Sequence, residues 1–144
     1  MIQQDTVKLL RECDAGIKMG ISSIEDVESR VQNGTMRKYL TESKAEHERL
    51  NQEIQGLLGK YHDEGKNPNP IASGMSWMKT HMKLGMDASD ETVADLMTDG
   101  CNMGVKSLSR YLNQYQAADE TSKDIAKKLI SMEAQLAIDM RAYL

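Results

Sequence analysis

No phenylalanine occurs anywhere in these 144 residues, and one tryptophan and five tyrosines are the whole aromatic complement. A core so poor in rings has to be filled by aliphatic side chains and by the eleven methionines, whose unbranched thioethers fill irregular gaps between helices. Proline is scarce as well. The only two stand together at Pro68 and Pro70, so the long segments on either side are free of the residue that breaks helices. Two cysteines, Cys13 and Cys101, are too few for a disulfide-stapled scaffold and read as free thiols of a cytoplasmic protein. No apolar run approaches the roughly 18 residues that would span a bilayer. Met1-Ile2-Gln3-Gln4-Asp5 lacks the basic start and apolar stretch of a signal peptide. Neither sign of charge dominates: 18 Lys and Arg stand against 22 Asp and Glu, scattered along the chain, for a net charge of -4. That balance argues against nucleic acid or an anionic membrane as partner. A Gly-rich phosphate loop, a Cys-x-x-Cys pair and a nucleophile constellation are all missing, so hydrolase, kinase and redox-motif chemistry have no foothold and an enzyme is not expected.

What is there is a repeat. Gly16-Ile17-Lys18-Met19-Gly20-Ile21-Ser22-Ser23-Ile24 returns 84 residues later as Gly100-Cys101-Asn102-Met103-Gly104-Val105-Lys106-Ser107-Leu108. A duplicated motif flanked by helix-period apolar residues predicts one helical hairpin copied to make a four-helix domain spanning 1–144, with hairpins at about 5–65 and 89–144. The first helix is predicted from Asp5 to Val31, stopped by Asn33-Gly34, with a seam of Val7, Leu10, Ile17, Ile21, Ile24 and Val31 that also carries Asp14 and Glu28. The second runs from near Thr35 to Glu64-Gly65 on a seam of Met36, Leu40, Ser43, His47, Leu50, Ile54, Leu57 and Tyr61, with His62 in its last turn, where a cation suits the dipole. The third begins around Ser89 and buries Val93, Leu96, Met97, Met103, Leu108 and Tyr111. The fourth follows Ala117-Ala118-Asp119 and buries Ile125, Leu129, Met132, Leu136, Met140 and Tyr143.

Between the hairpins, Asn69 and Pro70 can start an additional helix within the crossover 66–88, carrying Ile71, Met75, Met78 and Met82 on one face. Methionines with His81 superficially suit a soft metal such as Cu(I), but a Met stripe at helical spacing reads better as a buried face bordered by Trp77 and His81. A connection of that length between two short-turned hairpins sets the third helix parallel to the second and antiparallel to the first. Gly16 and Gly20 then come level with Gly104 and Gly100, and the two glycine pairs are expected to meet and let the backbones approach closely.

The duplicated hairpins, the long crossover and the four-helix layout resemble the ferritin-like superfamily, and in detail its small uncharacterised bacterial domains, over nearly the whole chain. The resemblance implies an all-α ferritin-like four-helix bundle with one long crossover carrying an additional helix. In iron-binding members it also implies a Glu on the first and third helices and a Glu-x-x-His on the second and fourth. This chain departs from that set: Lys44 stands where the Glu before His47 would be, the fourth helix has no histidine, and Asp14, Glu25 and Glu28 pair by the repeat with Thr98, Ser109 and Leu112. A complete di-iron site is therefore not expected.

Aligning Leu50 with Leu136 makes His47 and Glu133 equivalent positions of the two hairpins, near mid-bundle. The plain reading of His47 is a core-edge histidine bonded to Glu133, Ser43 or water. The sharper one is a reduced metal site in which His47 and Glu133, with Glu25 or Glu46, hold iron or another divalent ion, although Glu46 points about 100° away around the helix. Two functions compete on this reading: a non-enzymatic bundle without cofactor that acts through association, as a homo-oligomer and most simply a dimer, and a metal-binding or oxidative-stress protein built on His47 and Glu133.

Overall fold

The computed structural model describes residues 2–67 and 89–144, and the expected crossover helix with Met75, Met78, Met82, Trp77 and His81 lies outside them. The described chain is all-helical: α1 (Ile2–Glu28), α2 (Gly34–Lys60), α3 (Asp90–Gln114), α4 (Glu120–Met140) and a closing 3-10 turn, Arg141–Tyr143. None of these helices is long and apolar enough to cross a membrane.

Three of the four helices begin on a short polar side chain that satisfies an otherwise orphaned backbone N–H. Asn33, Ser89 and Asp119 each hold an extended backbone and accept from the amide three residues on, that of Met36, Thr92 and Ser122 respectively. Asn33-Gly34 is thus the start of α2 and not the stop of α1, which ends earlier, at Glu28. The end of α2 is likewise earlier than Glu64-Gly65. His62 turns left-handed at φ 55°, its N–H bonds the Gly59 carbonyl and the Asp63 N–H bonds the Leu58 carbonyl. That is a Schellman ending with histidine in the place usually taken by glycine, so His62 lies past the helix.

The core divides into two layers. One joins Ile24, Val27, Met36, Leu40, Val93, Met97, Leu136 and Met140; the other joins Leu9, Leu10, Cys13, Ile17, Leu50, Ile54, Leu58, Leu108, Ile125 and Leu129. The end of α1, the start of α2, the start of α3 and the end of α4 therefore share one end of the bundle. It follows that α3 runs parallel to α2 and antiparallel to α1, as the long connection predicts. The buried stripe differs from the predicted one in places: Leu9, Cys13, Val27 and Leu58 are buried, whereas Val7, Ile21 and Leu57 are only partly covered. Met103 is 54% exposed because the inward line of α3 passes through Met97, Cys101, Gly104 and Leu108, one residue away from it around the helix.

Each hairpin turn is held by the opposite hairpin. Asp90, in the first turn of α3, accepts from the backbone N–H groups of Gln32 and Asn33 at 2.8 and 2.9 Å. At the other end of the bundle Asp5, in the first turn of α1, accepts from Ala117 N–H at 3.0 Å, and Thr6 Oγ1 accepts from Asp119 N–H at 2.8 Å. Both turns would otherwise present unpaired amides just ahead of a helix.

Candidate functional site

Between the two core layers lies the one place where a histidine and an acid meet in the interior of the described structure. His47 projects from the inward stripe of α2, one turn before Leu50, and is fully buried; Glu133 projects from α4, one turn before Leu136, and is nearly so. His47 Nε2 lies 2.8 Å from Glu133 Oε1. On the other side of the ring, Nδ1 donates to the main-chain carbonyl of Ser43 at 2.7 Å, with the Ser43 hydroxyl farther off at 3.5 Å. The imidazole is thus bracketed along its length and cannot rotate without losing a bond.

Two repeat glycines make the room. A Cβ on Gly20 would come within 2.9 Å of both Cδ2 and Nε2 of His47 and 3.4 Å from Glu133 Oε1, and one on Gly104 would touch Glu133 at 3.6 Å. The expected glycine-to-glycine contact is not what forms: Gly16 faces Leu129 and Gly100 has nothing within 4 Å. One glycine from each copy flanks the His–Glu pair instead, since an imidazole and a carboxylate placed between helices need space that a side chain on the neighbouring helix would take.

Cys101 completes the centre from α3. Its thiol is raised far above its ordinary range, first by burial and then by the charge of Glu133 and a hydrogen bond to it. It is a neutral donor there, not a nucleophile. Cys13 is also pushed up, to about 12, by burial with the added charges of Glu12 and Asp14. For His47 burial works to lower the pKa, but the hydrogen bond and charge of Glu133, the Ser43 carbonyl and Glu46 outweigh it, and the result lies above the ordinary value.

The other predicted ligands are elsewhere. Glu46 is exposed on the outer face of α2, and Glu25 sits at the surface opposite Lys44 at 3.8 Å. Lys44 also reaches Glu28 at 3.3 Å, so the lysine standing in the Glu-x-x-His position ties α2 to α1 through two acids. Among the described residues no group of three or more His, Cys, Asp or Glu side chains is disposed to hold a metal ion.

Asp14 sits apart, in the second core layer, and is fully buried. It accepts from Lys18 Nζ at 2.9 Å, Gln55 Nε2 at 2.7 Å and the Lys66 backbone N–H at 2.9 Å. Gly65, at φ 88°, brings that backbone in so closely that any Cβ would land on the carboxylate. Asp14 is an anchor for the chain leaving α2. Of the groups around His47, Cys101 was missed by sequence reasoning, although its place within the repeat, three residues before Gly104, was a usable signal. Searches of family models, curated proteins and solved structures find no match to this chain.

Proposed function

We propose that this chain is a non-enzymatic, cytoplasmic helical bundle of ferritin-like layout that works by association, as a homo-oligomer, and that its central polar cluster serves the bundle itself. The observation that carries this reading is the closure of that cluster. Both ring nitrogens of His47 are engaged by protein oxygens and the neighbouring Cys101 thiol is held protonated, so neither a free base nor an activated nucleophile faces outward. The helix order, with α3 parallel to α2, is the order that a ferritin-like layout requires. Association is supported by Met103 and Ile138, on the packed pair α3 and α4, which are 54% and 46% exposed.

Light scattering of the full chain across a concentration series, paired with elemental analysis of protein purified without chelators or an affinity tag, tests this reading. A dimer or larger species with no stoichiometric metal is the expected result. A monomer at every concentration overturns the association. Retained iron, zinc or manganese that disappears in His47→Ala would move the reading to a reduced metal site on His47 and Glu133.

A further inference from the structure

A main-chain carbonyl can only accept, so the 2.7 Å contact with Ser43 requires a hydrogen on Nδ1. The 2.8 Å contact between Nε2 and Glu133 Oε1 requires a second, whether it rests on the ring or on the acid. A neutral histidine and an ionised glutamate, the forms both groups take in an unfolded chain at mildly alkaline pH, carry one hydrogen between them. We infer that the His47–Glu133 pair is a proton-binding latch between the two hairpins: the folded bundle takes up one proton there, and the hairpins loosen as it is lost.

The surroundings leave no other way to relieve the pair. Without the second proton, two lone pairs face each other at hydrogen-bond distance on one side of the ring or the other. The ring cannot retreat toward α1, where the Gly20 backbone already stands too close for a Cβ, and Glu133 is backed by Gly104 and Cys101. The charges nearby do not supply a substitute. From α4 comes Glu133 itself and from α3 the neutral Cys101 thiol. On α2, Glu46 is exposed and acidic, while Lys44 is engaged by Glu28 and Glu25 of α1. The raised titration of His47 agrees with this geometry. With the folded value above the ordinary 6.5, the contribution to stability is full below that pH and is lost as pH rises through the folded value. The latch stands whether or not the chain associates.

Chemical unfolding of the full chain, followed at fixed protein concentration from about pH 6 to about pH 8, tests the latch, because the unfolded thiols, whose own proton release would give a slope of the same sign, stay largely protonated up to that limit. The wild type is expected to lose stability with the slope of one proton, and His47→Gln is expected to lose that slope. Equal slopes in the two proteins overturn the latch. Should His47→Gln fail to fold, an NMR titration of the wild-type His47 ring decides alone: a midpoint above the ordinary histidine value supports the latch, and one at or below it overturns it. Glu133→Gln keeps an acceptor for the ring without the charge, and is expected to lower the His47 midpoint; an unchanged midpoint also overturns the proposal.

Discussion

Asp5 and Asp90 sit in the first turns of α1 and α3, and each ties down the turn of the other hairpin: Asp90 binds the amides of Gln32 and Asn33, and Asp5 binds that of Ala117. Asp90 makes two such bonds from a helix N-terminus, where its charge is also favoured. Asp90→Ala is expected to cost about 1 to 2 kcal/mol and Asp5→Ala about half of that, the exposed amides being rehydrated in part. Urea unfolding of the two variants measures both, and equal, negligible losses would show that the turns hold without their clamps.

Two glycines separate packing from propensity. Gly56 has nothing within 4 Å of a built Cβ, whereas Gly20 abuts the His47 ring. Gly56→Ala is expected to stabilise by about 0.5 to 1 kcal/mol through helix propensity alone. Gly20→Ala is expected to destabilise by about 1 to 3 kcal/mol despite the same gain, because the imidazole is pinned at both nitrogens and has to leave its partners. Thermal melts that rank the two variants the other way round would refute the close approach.

Asp14 gathers three donors with no exposure to water. Asp14→Ala would strand the Lys66 amide and the Gln55 side chain, for an expected loss of about 3 kcal/mol. Asp14→Asn, which keeps the shape, is expected to retain part of it. Hydrogen exchange at the Lys66 amide gives a local check: it should accelerate in Asp14→Ala and stay slow in Asp90→Ala.

Neither thiol is expected to react in the folded protein. Cys13 and Cys101 are both buried and both raised above the ordinary thiol range. A chromogenic disulfide reagent at mildly alkaline pH should modify them only at the rate of unfolding, and both together in denaturant. Rapid labelling of Cys101 in native protein would mean that the centre of the bundle opens.

Four helices, their order and their relative directions were readable in the sequence because periodicity, caps and connection length are local signals. Ser89 and Asp119 show this well. Asn33-Gly34 shows the limit, since the same dipeptide can close one helix or open the next, and only the bond from Met36 N–H to Asn33 decides. The pairing of His47 with Glu133 followed from aligning Leu50 with Leu136. The filling around that pair did not, because a stretch of Gly-x-x-x-Gly signals room without saying what occupies it. The reciprocal turn clamps were also hidden: they join residues more than fifty positions apart through single exposed carboxylates, which leave no periodic trace.

The equivalent places of His47 and Glu133 have a further consequence for pairing. The two hairpins share a sequence pattern and a helix arrangement, so a pairing of two first halves or of two second halves would use similar helix geometry. In such pairings histidine would meet histidine, or glutamate would meet glutamate, at the very point where the present pair is 2.8 Å apart. Two carboxylates buried at that distance repel by several kcal/mol unless one takes up a proton. Two imidazoles bonded to their Ser43 carbonyls would face each other lone pair to lone pair unless one takes up a proton, which leaves a buried positive charge with no carboxylate beside it. This difference between the two hairpins, placed at the centre, favours the pairing of each with its counterpart over a pairing with its twin.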